Sequence, residues 1–95
     1  MNNAYELMVL LKSSVNEEAQ KTLSGEVTNT VSPGKVKEIN NLGKKALAYP
    51  VKKEKEGIYI AFQIDMATKQ ARDILAKMKI HTSVLRYMLV RKDSL

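Results

Sequence analysis

One segment in the second half of the chain alternates strictly between apolar and other residues. Between residues 58 and 66 every second position is a large apolar residue, and the positions between them are polar, small or amphipathic. A period of two is the pattern of a strand that buries one face. The segment therefore predicts a strand whose core face carries Ile58, Ile60, Phe62, Ile64 and Met66.

Three other segments also predict strands. Residues 5–11 are apolar on both parities, which indicates a central strand covered on at least part of both faces. Residues 84–91 alternate again. The long segment from Lys35 to Val51 keeps no single parity, which predicts bulges near Glu38 and Gly43.

Two intervening segments have helical spacing. Ser14 and Glu17 form the spacing of a capping box, which predicts a helix start there. Asp65 is placed to cap the second helix. The predicted apolar stripes are Val15, Ala19, Leu23, Val27 and Val31 in the first helix, and Ala67, Ala71, Ile74, Leu75 and Met78 in the second.

The order strand, helix, strand, strand, helix, strand predicts one domain over residues 1–95. Right-handed crossovers place both helices on one face of a four-stranded antiparallel sheet, which is the α+β, ferredoxin-like or split βαβ arrangement, β-α-β-β-α-β. The opposite face is left open. We expect it to offer Met8, Leu10, Tyr59 and Ala61 to a partner protein or to RNA bases.

Positive charge is concentrated in one part of the sequence. Residues 34–55 hold seven lysines and two acidic residues, a net charge of +5 in a chain whose total is +6. Pro50 cannot donate to a strand ladder and favours an edge position for this segment. The lysines are explained either as solvated edge charges that prevent aggregation or as a binding edge for a polyanion. The segregation of charge favours the second explanation.

Composition excludes several kinds of chemistry. The chain has no cysteine, so disulfides and thiolate metal sites are excluded, and its single histidine, His81, is predicted to be an exposed loop residue rather than a ligand. The longest apolar run, Leu7–Leu11, is too short to span a membrane. A small hydrolase on this scaffold would need a glycine-rich, arginine-bearing loop after the first strand, and Lys12–Asn16 has neither residue. We expect no enzyme activity, no cofactor, no metal and no small-molecule substrate.

The segment Gly43–Val51 reads Gly-Lys-Lys-Ala-Leu-Ala-Tyr-Pro-Val. With Gly34 and Gly57 before the second and third strands and the pattern Val84-x-Arg86-x-Met88 near the end, it resembles the signature of the bacterial-type ribosomal protein S6 family. The resemblance covers nearly the whole chain.

The resemblance implies a structural constituent of the small ribosomal subunit. It would bind the central domain of small-subunit ribosomal RNA together with ribosomal protein S18, as a heterodimer, in a cytoplasmic, ribosome-associated location; an organellar ribosome is left open. The matching positions carried over as RNA or partner contacts are Lys45, Tyr49 and Arg86. Ala46 departs from the polar or basic residue usual in the family.

The sequence thus predicts an RNA-binding set around the basic segment. Tyr49 is expected either to stack on a base or to pack beneath the lysines, and Arg86 either to extend to the sheet margin or to contact a phosphate. An alternative function is single-stranded RNA binding of the RNA-recognition-motif type, although Phe62 has the wrong parity for base stacking. The predicted RNA-binding residues are Lys44, Lys45, Tyr49, Lys52, Lys53, Arg86 and Arg91.

Overall fold

A computed structural model describes residues 2–92. They form four strands and two helices: β1 (Asn3–Lys12), α1 (Glu17–Val31), β2 (Lys35–Val51), β3 (Glu54–Met66), α2 (Thr68–Ile80) and β4 (Val84–Arg91).

The strands form one antiparallel sheet in the order β2-β3-β1-β4. Strand β1 is central, as its two-sided apolar pattern predicts, and β2 and β4 are the edges. The predicted ferredoxin-like fold is therefore confirmed. Both helices cover the same face of the sheet. Their buried residues and the core side chains of the strands form a single cluster.

The core follows the predicted alternation. In β3 the five predicted residues are buried, and α1 and α2 each add three buried side chains. Of the predicted stripes, Val15 and Ala67 lie before the helices begin and are only partly buried, as is Leu75, and Ala19 is exposed. The helix residues that complete the core are Leu23, Val27, Val31, Ala71, Ile74 and Met78.

The face opposite the helices is less open than the sequence predicts. Leu10 is 2% exposed and Ala61 is 4% exposed, so the expectation that both are available to a partner is wrong. Ala61 has a small side chain set between its cross-strand neighbours Met8 and Asn40. Leu10 is covered for a different reason, described below. Met8 is partly exposed on this face.

Both predicted helix caps are wrong. The N-cap of α1 is Asn16, whose Oδ1 accepts a hydrogen bond of 2.8 Å from the backbone N–H of Ala19. Asn16 has extended backbone angles and directly precedes the first helical residue, so it takes the position predicted for Ser14. The N-cap of α2 is Ala67, whose side chain has no acceptor for a capping hydrogen bond, while Asp65 lies in β3 and forms an ion pair of 3.2 Å with Lys37.

The irregularities predicted in β2 are confirmed. Its register with β3 shifts between Val36 and Glu38 and between Asn41 and Gly43. Gly43 has a φ of +84°, a conformation that other L-residues rarely adopt, and its N–H donates to Oδ1 of Asn41 at 2.8 Å.

The connection between β2 and β3 is shorter than expected. The sequence predicts a polar loop from Lys52 to Gly57, whereas β3 already begins at Glu54 and only Lys52 and Lys53 form the turn. Their φ angles are +49° and +71°. Two positive φ values are what a two-residue hairpin turn requires, because this turn matches the right-handed twist of the strands.

Gly34 and Gly25 provide a test of the packing between the end of α1 and the sheet. A Cβ at Gly34 would lie 2.7 Å from the carbonyl oxygen of Val31, 2.9 Å from Cβ of Met66, and against the carbonyl oxygen of Asp65. Backbone atoms cannot yield as a flexible side chain does, so Gly34→Ala should lower the free energy of unfolding by about 1–3 kcal/mol. Urea denaturation measures the change.

Gly25→Ala is the matched control. Gly25 lies in α1, and a Cβ there meets nothing within 4 Å. Alanine in place of a glycine inside a helix should raise the free energy of unfolding by up to about 1 kcal/mol. Equal effects of the two substitutions would contradict the packing described for Gly34.

Candidate nucleic-acid interface

The hairpin formed by the end of β2 and the start of β3, residues 43–57, concentrates exposed cations, and we call it the basic hairpin. Its lysines are all exposed. Within residues 2–92 none of them forms an ion pair with a carboxylate. The basic hairpin therefore presents its full positive charge to solvent through Lys44, Lys45, Lys52, Lys53 and Lys55.

The strand register decides the direction of the first two lysines. Lys44 is opposite Ile58 and Lys45 is opposite Gly57, so the two point to opposite faces of the hairpin. Lys45 shares the face of the sheet that the helices leave uncovered, whereas Lys44 shares the parity of the core residue Ile58.

Lys12 joins this site although the sequence analysis did not single it out. Lys12 is the other cross-strand neighbour of Gly57, in β1, and so lies on the same face as Lys45. Two strand spacings place the two lysines about 10 Å apart, with no side chain between them. In the sequence Lys12 is only the first polar residue after an apolar run, and only the pairing of Gly57 with both strands could have indicated its position.

The end of β2 bends across the open face of the sheet. Its pairing with β3 is interrupted between Ala46 and Val51. Nη1 of Arg86 donates a hydrogen bond of 3.4 Å to the hydroxyl of Tyr49, and Cζ of Arg86 lies 5.7 Å from the centre of the tyrosine ring. Because β3 and β1 lie between β2 and β4, a flat sheet would hold these two strands about 14 Å apart. The contact is reached only because the chain crosses over the intervening strands.

The crossing segment covers a small cavity of about 140 Å³ on the open face. Leu10 forms part of its floor, which explains why that side chain is buried although no helix covers it. The hydroxyl of Tyr49, by accepting the hydrogen bond from Arg86, raises the pKa of the guanidinium above its ordinary value. An arginine side chain is charged at ordinary pH, and this hydrogen bond favours its charged form further.

Beside this segment the open face keeps an apolar surface. A pocket of about 230 Å³ is lined by the side chains of β1, β3 and β4, including Met8, Tyr59 and Met88. Met88 is 58% exposed, and Val90 is also exposed further along β4. The basic hairpin and an apolar patch thus adjoin each other on one side of the protein. We call Met8, Met88 and Val90 the apolar patch.

The structure brings six of the seven predicted RNA-binding residues to one end of the sheet. Arg91 is the exception. It pairs with Tyr5 at the other end of β4 and donates a hydrogen bond of 2.9 Å to Oδ1 of Asn3. It lies five positions along the strand from Arg86, or about 17 Å. Tyr49 is 60% exposed, so it is not packed beneath the lysines.

The histidine is placed differently from its prediction. His81 ends α2 and is only partly exposed, with its Nε2 3.1 Å from a carboxylate oxygen of Glu26 in α1. Its Nδ1 accepts a hydrogen bond of 3.2 Å from the N–H of Ser83. His81 therefore lies in the connection between α2 and β4, as predicted, but the expectation that it is exposed is wrong, because these contacts cover part of its ring.

A metal centre has no basis in the part of the chain that the structure describes. No group of three or more His, Cys, Asp or Glu side chains there could hold a metal ion. Among the same residues, neither helix has the length and apolar character needed to cross a bilayer.

A ferredoxin-like domain with a basic hairpin and an adjoining apolar patch has the features of a protein of the RNA-associated class. Comparison with known proteins identifies the class more closely. The family model described as ribosomal protein S6 matches residues 4–91. The chain therefore belongs to the ribosomal protein S6 family, and its function is that of a structural constituent of the small ribosomal subunit.

Individual relatives agree with the family match. The small ribosomal subunit protein bS6 of Caldanaerobacter subterraneus subsp. tengcongensis is 32% identical over 92 residues, which cover 95% of this chain and 97% of the relative. The corresponding protein of Fusobacterium nucleatum subsp. nucleatum is 34% identical over 93 residues, covering 94% and 97%.

A solved structure also has the same fold. The crystal structure of 30S ribosomal protein S6 from Thermotoga maritima superimposes with a TM-score of 0.87, covering 97% of this chain and 89% of that one at 21% identity.

The turn of the basic hairpin provides a second test. Lys52 and Lys53 both hold positive φ, which asparagine and glycine adopt at much lower cost. Replacing Lys52→Asn together with Lys53→Gly should therefore raise the free energy of unfolding by about 1 kcal/mol in urea denaturation.

The control removes the same two charges without relieving the backbone. Lys52→Gln with Lys53→Gln should leave the free energy of unfolding within about 0.5 kcal/mol of its starting value. If the glutamine pair stabilised the protein as much as the asparagine-glycine pair, charge rather than backbone conformation would be the cause.

Proposed function

We propose that this chain binds small-subunit ribosomal RNA through the basic hairpin and ribosomal protein S18 through the apolar patch, in the cytoplasm. One observation carries the proposal. The basic hairpin carries five exposed lysines that form no ion pair within residues 2–92, and it adjoins the exposed apolar patch, with Lys45 on the same face of the sheet as the patch. A cationic surface suits RNA and an apolar surface suits protein, so the two partners can bind side by side.

RNA binding of this kind needs no bond-breaking chemistry. Lysine side chains displace the cations condensed on the phosphates, and the affinity that results falls steeply with salt. Sequence readout is not needed, because side chains cannot enter the deep, narrow major groove of A-form RNA. The positioning of phosphates by Lys44, Lys45, Lys52, Lys53 and Arg86 is the proposed mechanism, with Lys12 at the margin of the same surface.

Tyr49 and Arg91 are proposed for different tasks. Tyr49 is exposed, and Arg86 lies over its ring, which leaves the other side of the ring for a nucleobase. Arg91 lies at the far end of β4 and would contact a phosphate separately from the basic hairpin.

The apolar patch supports a protein partner. Met88 and Val90 are exposed on a strand face, and a methionine side chain adapts to an irregular partner surface. Salt-independent burial of this patch by S18 would complement the salt-dependent contact with RNA. The heterodimer would present both surfaces to the RNA as one unit.

Base stacking of the RNA-recognition-motif type has less support. That mode needs neighbouring aromatic rings on the open face. Phe62 is fully buried against the helices, and Tyr59 lines the cavity beneath the end of β2. The open face therefore has no pair of exposed rings within the described residues.

Filter binding to a central-domain RNA fragment across a salt series tests the proposal, with and without S18. Lys44→Ala with Lys45→Ala should weaken binding and lower the slope of log affinity against log salt by roughly one unit for each phosphate that is no longer neutralised. The measurement is the slope together with the affinity at one fixed salt concentration.

Lys69→Ala with Lys77→Ala is the matched control. Both lysines are exposed on α2, in the helical layer, so the net charge changes equally while the basic hairpin is untouched. Affinity that does not depend on salt, or an equal decrease in affinity in the two double variants, would refute the assignment to the basic hairpin.

A further inference from the structure

The segment that crosses the open face, residues 47–53, has few ties to the sheet, and we call it the strap. Between Ala46 and Val51 no residue is paired with β3. Four residues of β2 lie between these two pairs, whereas in β3 only Lys55 lies between Glu56 and Glu54. The surplus chain is what lets the strap leave the plane of the sheet.

Arg86 is the residue of β4 that meets the strap. Its neighbour across the strands is Leu10, and the surrounding side chains of the open face are mostly apolar. No carboxylate forms an ion pair with it within residues 2–92, whereas Tyr49 provides both the hydroxyl that accepts its hydrogen bond and the ring beneath its charge. The guanidinium is therefore directed towards the strap.

The strap also carries charge. Its last two residues, Lys52 and Lys53, are the turn of the basic hairpin and lie three and four positions after Tyr49. Any movement of Tyr49 away from Arg86 moves these cations. The contact between the two side chains and the floor around Leu10 tie the strap to β4 and β1, whereas the pairing of Val51 with Glu54 ties it only to β3.

We propose that Arg86 and Tyr49 act as positioning residues, holding the strap across the open face so that the turn lysines are presented to an anionic partner in one fixed place. The role in RNA affinity rests on the proposed function; the holding of the strap does not. A strap that is already ordered loses less conformational entropy when it binds. Breaking the contact should weaken binding without changing how many phosphates are neutralised.

The first experiment uses the free protein. Limited trypsin digestion, followed by mass spectrometry, measures the rate of cleavage after Lys52 and Lys53, which follows the population of the open strap when opening is fast. Tyr49→Leu and Arg86→Gln should each raise this rate about two- to fivefold, while cleavage elsewhere stays unchanged. The cleavage rate of the double variant should not exceed that of either single variant, because each substitution alone already removes the contact.

Two further variants control this experiment. Tyr49→Phe keeps the ring under the guanidinium and removes only a long hydrogen bond. Trypsin should therefore cleave its turn more slowly than the turn of Tyr49→Leu. Arg72→Gln removes one positive charge, as Arg86→Gln does, but from an exposed position on α2. Trypsin should cleave its turn at the same rate as in the unsubstituted protein. The urea unfolding transition of each variant confirms that it is folded.

The second experiment measures the affinity for the central-domain RNA fragment across a salt series. Tyr49→Leu removes no charge, so it should lower the affinity about two- to fivefold while leaving the salt slope unchanged. Removal of a lysine, by contrast, should lower both the affinity and the salt slope. Tyr49→Phe should recover most of the affinity.

The outcomes separate the two proposals. If the rate of cleavage at the turn is unchanged in Tyr49→Leu and Arg86→Gln, the proposal that this contact holds the strap is overturned, whatever the RNA result. Faster cleavage with undiminished RNA affinity overturns the positioning role. If the unsubstituted protein itself fails to bind RNA, the proposed function fails, while faster cleavage in the variants still supports the strap as a feature of the free protein.

Discussion

The register of β3 is the constraint on which the rest of this structure depends. Strand β3 pairs with β1 on one side and with β2 on the other, and its large apolar residues fall on one parity. A shift of one residue would turn Tyr59 and Gln63 into the core and expose Phe62. The burial of five large side chains against the helices makes such a shift costly, so every residue paired with β3 has a fixed direction. The positions of Lys45 and Lys12 on either side of Gly57 follow from this register rather than from any contact of their own.

The second constraint is a mismatch of length between the paired strands. Strand β2 has 17 residues, whereas the part of β3 that pairs with it, Glu54 to Asp65, has 12, so five residues of β2 have no place in a regular ladder. Bulges take up such a surplus and increase the local twist and bend. In this protein the surplus lies in three irregularities, and the last of them, between Ala46 and Val51, is the one that brings Tyr49 to Arg86. An edge strand without this surplus would continue straight beyond the sheet and leave Leu10 uncovered.

The sequence predicted those features that depend on local pattern. The alternation in β3 identified its core face, and the loss of parity in β2 identified bulges near Glu38 and at Gly43. The misplaced helix start has a local cause, since Ser14 and Asn16 are both good capping residues and only the backbone path selects Asn16. Asp65 was wrongly assigned to a cap because its ion pair with Lys37 depends on the pairing of β2 with β3.

Most of the candidate site could be found from charge clustering and the resemblance, but its geometry could not. Tyr49 and Arg86 are 37 positions apart and belong to β2 and β4, the two edge strands on opposite sides of the sheet. No periodicity within either strand indicates that contact. The same limit applies to the position of Lys12 and to the contact between His81 and Glu26, because each depends on an element that is distant in the sequence.

The turn between β2 and β3 shows how this fold accommodates a binding surface at a cost in stability. Lysine at positive φ is less favourable than asparagine or glycine by about 1 kcal/mol, and two adjacent cations repel each other. Neither effect helps the free protein fold. A polyanion bound at the turn removes the repulsion but not the backbone cost, so binding offsets only the electrostatic part. Because the turn lies beyond the helices and outside the core, this local cost does not disturb the buried alternation of β3 that keeps the domain folded.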